Sequence, residues 1–289
     1  AAEAEVTSLI GNVNATGMTT GDLTVRTADN NGAGGDSNIT VTTGDTDVIV
    51  ETAGASDLVT IEALEMSGNA SLLTLSGNSE VLVNDLVKNI DANGVGTLGA
   101  LSGKLTVNTG ALDNEAGVQF VLGTGETVIN ADEVDSPDNG PEIDLTLQAG
   151  SLTSQSLTLT GDAEIRVNEL SSNVIASNLS GDLDINAAAN QNTVNVTAGT
   201  GRMTITGATG TTVDVDADLT VSDGSVDASS AEVVVDGAAG TVDIENLSAD
   251  LDAQNFGGTL KIDVDVPTDN AEETAEIEII TGTGATEIT

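Results

Sequence analysis

A long internal repeat constrains the fold of this chain more than any other feature. Residues 73–86 read LTLSGNSEVLVNDL and residues 157–170 read LTLTGDAEIRVNEL, which is nearly the same string. Segments 80–93, 164–177 and 241–254 align without gaps on x-V-x-V-N/E-x-L-x-x-N/D-h-x-A-x, where h is aliphatic and V includes Ile. Self-similarity over such a period is typical of stacked structural units, each of which packs on its neighbours.

The copies define the predicted domain organisation, which is one continuous repeat array over residues 1–289. They start near Ala4, Val81, Ile165 and Val242, which are about 77–84 residues apart. The array divides into a partial repeat (1–80), two complete repeats (81–164 and 165–241) and a partial repeat (242–289). Because it starts and stops within a repeat, we expect the chain to be a fragment of a longer array.

The alternation of residue types inside each repeat predicts short β-strands. Aliphatic and polar residues alternate, as in Leu157-Thr-Leu159, and each run ends in Gly, Asn, Asp or Ser. Period-2 alternation indicates strands, and these terminal residues favour turns. VNDLVKNIDA and VNELSSNVIA carry aliphatics at helical spacing but are too short to predict helices.

The predicted fold class is all-β, a right-handed parallel β-solenoid of the β-helix or β-roll type, built from repeats of about 77–84 residues. Phe120 and Phe256 are the only aromatic residues. A core without rings suits ladders of small aliphatic side chains running from coil to coil. Each repeat would hold three or four coils of roughly 20–25 residues. The alternative is a series of tandem β-sandwich modules.

Charge restricts the partners. Acids outnumber bases 47 to 6, for a net charge of −41. Such a chain is repelled by nucleic acid, and no apolar run approaches the roughly 20 residues of a membrane span. We therefore expect no nucleic-acid partner and no direct membrane insertion. Counterions, Ca²⁺, cationic surfaces and further copies of the chain remain as partners.

The blocks LTLTGDAEIRVNEL, NLSGDLDI and GTGxTxI resemble the repeats of bacterial surface-layer proteins and of large secreted RTX-type proteins, including the Caulobacter-type S-layer. The resemblance implies secretion without cysteine, a β-solenoid body, assembly at the cell surface, and Ca²⁺ as the folding or lattice ion. The sequence departs from the RTX nonapeptide G-G-x-G-x-D-x-U-x. Segments 32–41, 43–50 and 53–61 keep a glycine, an aspartate and a following aliphatic without the full spacing.

Aspartates supply the candidate calcium ligands, since Ca²⁺ takes six to eight oxygen ligands, several of them carboxylates. One group lies in the glycine-rich N-terminal part, and the other alternates along a predicted strand. The candidates are Asp36, Asp45, Asp47 and Asp57, followed by Asp214, Asp216 and Asp218. A solvated acidic surface is the alternative reading of both groups.

The composition offers little for catalysis, because the chain has no His and no Cys. A triad and a thiolate or imidazole zinc site are therefore excluded, and we expect no enzymatic activity. The sequence predicts an extracellular structural protein at the cell surface, a subunit or fragment of a surface layer or filament. It would self-assemble through its solenoid ends and through acidic, Ca²⁺-bridged faces. The alternative is the repeat stalk of a secreted adhesin.

Overall fold

The structure is a computed structural model that describes most of the chain. The described residues are 3–29, 38–55, 57–64, 66, 72–94, 98–112, 117–132, 143–152, 155–189, 193–199, 201–216, 232–247, 250–264 and 277–289, with the backbone alone at 216, 232 and 246. Over these ranges the chain forms strands and turns and no helix. None of the described segments is therefore a helix of the length and apolarity needed to cross a membrane.

In the described ranges, twenty-six strands fall into two parallel sheets of 13 strands each. Sheet A contains β1 (Ala4–Leu9), β3 (Leu23–Thr27), β5 (Val48–Thr52), β7 (Leu72–Gly77), β9 (Asn89–Asp91), β11 (Val118–Val121), β13 (Leu145–Gln148), β15 (Ile165–Leu170), β17 (Leu183–Ala187), β19 (Met203–Thr206), β21 (Glu232–Asp236), β23 (Asp250–Asp252) and β25 (Ile279–Ile280). Sheet B contains β2 (Val13–Asn14), β4 (Asn38–Thr42), β6 (Leu58–Glu62), β8 (Glu80–Leu86), β10 (Leu105–Thr109), β12 (Thr127–Ala131), β14 (Leu157–Gly161), β16 (Val174–Leu179), β18 (Thr193–Thr197), β20 (Thr212–Asp216), β22 (Thr241–Leu247), β24 (Thr259–Val264) and β26 (Ala285–Ile288).

Successive strands alternate between the sheets, so each coil contributes one strand to sheet A and the next to sheet B. This arrangement is a parallel β-solenoid and confirms the predicted fold class. The tandem β-sandwich alternative is wrong, because neighbouring strands in both sheets are parallel, whereas the sandwich modules would be antiparallel. The chain divides into two compact units, residues 1–157 and residues 158–289.

Coil length varies more than the sequence predicted. In unit 1, Val48 pairs with Leu73, Leu73 pairs with Ile90, and Ile90 pairs with Phe120. The steps along the chain between these partners range from roughly 17 to roughly 30 residues, so the expected coil of roughly 20–25 residues was too narrow a range. Corners between strands absorb the difference, because extra residues there leave the ladder register intact.

Aliphatic side chains fill the space between the sheets as continuous ladders. In unit 1, Leu23, Val48, Leu73, Ile90 and Phe120 follow one another in register and are each at most 2% exposed. Full burial of such a side chain stabilises the fold by roughly 1.5–3 kcal/mol. The inward residues are the predicted aliphatics of the alternating pattern, so the repeat preserves the core face.

Among the described residues, each complete repeat contains seven strands. Its four predicted starts fall at the beginning of β1, β8, β15 and β22, so that one repeat corresponds to three and a half coils. Because seven is odd, the motif changes sheet from one copy to the next. Within unit 1 it lies in sheet A at β1 and in sheet B at β8, and within unit 2 in sheet A at β15 and in sheet B at β22.

Glycines allow the chain to pass close to the previous coil at one recurring corner. A Cβ atom on Gly123 would lie 2.2 Å from the carbonyl oxygen of Leu101. In unit 2, a Cβ atom on Gly199 would lie 2.2 Å from the carbonyl oxygen of Leu179, and one on Gly282 would lie 2.1 Å from that of Phe256. The glycines of the GTG-type block are therefore required for close stacking of the coils.

Candidate functional site

The best-preserved part of the repeat carries a β-bulge. Ser8, Asp85 and Glu169 have φ angles of 55°, 57° and 55°, and no other described non-glycine residue has a positive φ. The pairing register shifts at this point in β1–β3, β8–β10 and β15–β17, and also in β22–β24, between Ile244 and Leu247. Bulges are uncommon in parallel sheets and re-aim side chains where they occur.

The bulge places two neighbouring polar residues on the outer side of the strand. Val83 and Leu86 are three positions apart, yet both are fully buried. Asn84 and Asp85 between them both face outward, with Asp85 exposed. Pairing resumes when the Gly110 N–H donates to the carbonyl oxygen of Leu86 at 3.2 Å. Asp and Asn tolerate the left-handed conformation better than most residues, which accounts for the polar residue at this position.

Equivalent backbone hydrogen bonds show that the copies share this geometry. The Ala28 N–H donates to the carbonyl oxygen of Leu9 at 3.0 Å in unit 1, and the Ala188 N–H donates to that of Leu170 at 2.9 Å in unit 2. The bulge is therefore a constant feature of the repeat, whichever sheet it occupies.

The motif asparagine links neighbouring coils through its side chain. Asn108 Nδ2 donates to Asn84 Oδ1 at 2.9 Å, and Asn84 Nδ2 donates to Glu62 Oε1 at 3.1 Å. In unit 2, Asn186 Nδ2 donates to Asn168 Oδ1 at 3.0 Å. Stacked amides of this kind stabilise in-register strands, so the asparagine contributes to cohesion between coils.

Basic residues also join neighbouring coils. The ion pairs are Arg26–Glu51 (2.7 Å), Lys104–Glu126 (3.2 Å), Arg166–Asp184 (2.6 Å) and Lys261–Asp243 (2.9 Å), and Arg26 also pairs with Glu5. Glu51 is buried and Arg26 is partly exposed. Exposed pairs contribute about 0–1 kcal/mol each to stability. Because such pairs recur, most of the few basic residues link neighbouring coils.

One row of charges in unit 2 perturbs a lysine. Asp214, Asp243, Lys261 and Glu287 lie in register across β20, β22, β24 and β26. The hydrogen bond from Lys261 to Asp243, followed by the negative charges of Asp243, Glu287 and Asp214, raises the pKa of the ammonium group. Lys261 is charged at physiological pH, as an ordinary lysine is, and it partly neutralises this acidic row.

The predicted calcium ligands occupy different places in the fold. Asp36 and Asp218 lie outside the described residues, and Asp216 is described only by its backbone in β20. Asp47 Oδ1 accepts a hydrogen bond from the Leu72 N–H at 2.8 Å.

The other described candidates are Asp45, Asp57 and Asp214. Asp45 donates its N–H to the carbonyl oxygen of Met18. Asp57 is 4% exposed, and its carbonyl oxygen accepts the N–H of Glu80. Asp214 lies on the outer side of β20, opposite Asn195 and Asp243. In the part of the chain that the structure describes, no three Asp or Glu side chains are grouped so that they could hold a metal ion. Calcium binding remains a prediction.

The sequence did contain a signal for the bulge. Val83 and Leu86, like Val167 and Leu170, break the period-2 alternation by one position. Their spacing of three also occurs in helices, and the segments are too short to predict a helix, so the sequence alone did not identify the bulge. The fold and this recurring bulged strand define the chain as a parallel β-solenoid repeat protein. Comparison with family models, curated proteins and solved structures finds no significant match.

Proposed function

We propose that the chain is an extracellular structural protein, a subunit or fragment of a surface layer or cell-surface filament. The observation that supports it best is the recurrence of coil-to-coil links, namely buried aliphatic ladders, the amide pair beside the bulge and cross-coil ion pairs. These links hold coils in register over both sheets. Such cohesion is what a load-bearing repeat body needs.

Assembly would proceed in part through the solenoid ends. The strand edges at the end of a solenoid present unpaired backbone groups, to which another copy could add its strands and so extend both sheets.

Acidic faces supply the second proposed mode of assembly. Asp214 and Asp243 are directly opposite each other on neighbouring strands, and like charges at such positions destabilise a sheet. With a net charge of −41, close approach of two chains requires cations. Ca²⁺ binds carboxylate oxygens and could bridge such faces.

Electron microscopy of the purified chain with Ca²⁺ and with a chelator, at matched ionic strength, tests the proposal. We expect ordered fibres or sheets with Ca²⁺, and fewer of them for Asp214→Asn. Asp162→Asn, which removes an exposed acid from the corner between β14 and β15, is the matched control. A monodisperse monomer under both conditions would contradict the proposal and favour the repeat stalk of an adhesin.

A further inference from the structure

Two adjacent columns of residues on the outer side of sheet B in unit 1 carry almost no charge. Two columns of partly exposed residues run in register across β4, β6, β8, β10 and β12, and we name their ten residues the neutral face. The first column is Thr40, Thr60, Leu82, Thr106 and Val128, and the second is Thr42, Glu62, Asn84, Asn108 and Asn130. Glu62 is the one acid among the ten, in a chain with 47 acids among 289 residues.

The two columns differ in chemistry. The first presents methyl groups and three hydroxyls, and the second presents mainly amides. An asparagine amide offers two N–H donors and two acceptor lone pairs. In the hydrogen bonds between coils, Asn84 and Asn108 each use one donor. This pattern can therefore pack against a second surface and also form hydrogen bonds with it.

The corresponding side of sheet B in unit 2 is charged. One column there is Thr193, Thr212, Thr241 and Thr259, and the next is Asn195, Asp214, Asp243, Lys261 and Glu287. Asp243 aligns with Leu82 in the repeat, so this second column, with three acids and one base, corresponds to the first column of the neutral face, which holds no charged residue. The low charge of the neutral face is not a general property of sheet B.

We propose that the neutral face is the lateral contact between two copies of this chain, which pack there sheet against sheet. This inference rests on the proposed function, since it assumes that the chain self-assembles. Each copy carries a net charge of −41, and charges on opposed surfaces interact strongly within a Debye length of about 8 Å at physiological salt. Packed sheets lie about 10 Å apart, so a face with few acids allows the approach at the lowest electrostatic cost.

The size of the neutral face predicts weak, reversible pairing. Five strands about 4.8 Å apart, each with about four residues at a rise of about 3.3 Å, cover roughly 320 Å² per copy. Two copies give roughly 640 Å² of projected area, below the roughly 1,200–2,000 Å² of stable complexes. The contact would persist mainly where many copies are held together, as in a fibre or layer.

Charges at the margins make this contact salt-dependent. Glu80, Lys104 and Glu126 follow one another along one margin, and the bulge residue Asp85 lies beyond the other. Screening of these acids and of the remaining surface lowers the repulsion between copies. Pairing should therefore strengthen as sodium chloride is raised, without a requirement for Ca²⁺.

Sedimentation velocity over a series of sodium chloride and protein concentrations tests the inference. In the Thr60→Asp/Thr106→Asp variant, acids replace two threonines of the neutral face that are separated by one coil. Thr212→Asp/Thr259→Asp is the matched control on sheet B of unit 2, with the same spacing. Circular dichroism verifies that both variants keep the β-fold. We expect wild type and control to associate with rising salt, and the neutral-face variant to associate at least about tenfold more weakly, because opposed like charges are costly.

Three outcomes overturn the inference, and they separate it from the proposed function. Equal association of both variants, with Ca²⁺-dependent fibres still seen by electron microscopy, overturns the lateral contact and leaves the structural role. Monomeric wild type under every condition of both experiments overturns both. In the third outcome, both variants associate as wild type does, and only the neutral-face variant loses binding to an insoluble neutral polysaccharide. That result would assign the neutral face to glycan binding instead.

Discussion

Replacement of the bulge residue Asp85 by valine should destabilise the protein, although the side chain is exposed. Asp85 has a φ angle of 57°. The left-handed conformation costs an ordinary residue roughly 1–2 kcal/mol, and Asp offsets part of this by local hydrogen bonding. A β-branched residue has no such compensation. We expect Asp85→Val to lower the free energy of unfolding by about 1–2 kcal/mol.

A change of residue 85 to an extended conformation would cost at least as much free energy as the strain it relieves. If residue 85 took an extended conformation, the bulge would be lost and Leu86 would turn outward, because side chains alternate along a strand. Leu86 is fully buried, and its exposure would cost roughly 1.5–3 kcal/mol. Asp85→Gly should be nearly neutral, since glycine relieves the strain but raises the entropy of the unfolded chain by about 0.5–1 kcal/mol.

Urea unfolding followed by far-UV circular dichroism measures these changes, because the chain contains no Trp or Tyr for fluorescence. Asp263→Val is the matched control. It makes the same replacement at an exposed strand residue that lacks a positive φ, where valine suits the strand. If Asp85→Val were as stable as the control, or more stable than Asp85→Gly, the strained bulge would be refuted.

Three further predictions concern corners, pH and salt. Gly123→Ala should lower the free energy of unfolding by about 1–3 kcal/mol, because its Cβ would lie 2.2 Å from the Leu101 carbonyl oxygen. Gly11→Ala is the control in the same urea assay and should be neutral, because there is open space around Gly11. The raised pKa of Lys261 means that its pairing with Asp243 stabilises fully below the ordinary lysine pKa and is lost as pH rises through the raised value. An alkaline titration of stability should show this small loss in wild type and not in Lys261→Met. Sodium chloride should raise the free energy of unfolding by screening the net charge of −41, and a decrease would contradict the electrostatic argument.

Much of the fold could be predicted because its signals are local and repeated. The alternation around Leu157 and Leu159 predicted inward aliphatics, and both side chains are fully buried. The four repeat starts fall within one residue of strand starts. The φ angle of Asp85 could not be predicted, because the three-residue spacing of Val83 and Leu86 does not by itself distinguish a bulge from a helical turn. The register shift that defines the bulge is seen only in the pairing of β8 with β10, after Asn108.

The neutral face could not be predicted for a related reason. Thr60 pairs with Leu82, and Leu82 pairs with Thr106 after a longer step along the chain. Neighbours on an outer face depend on the lengths of the intervening corners, which vary from coil to coil. The acidic clusters in the sequence were equally ambiguous, since adjacency along the chain does not place carboxylates around a common point.

Cysteine cross-linking tests the parallel stacking of coils most directly, since the chain has no cysteine of its own. Residues in register on neighbouring parallel strands lie within the Cα separation of about 4.4–6.8 Å that a disulfide spans. Thr60→Cys/Leu82→Cys and Leu82→Cys/Thr106→Cys should each form an intramolecular disulfide under mild oxidation, because each pair is in register. Thr60→Cys/Thr106→Cys, with the β8 strand between its two sites, should not. Cross-linking of the third pair in preference to the first two would contradict the solenoid.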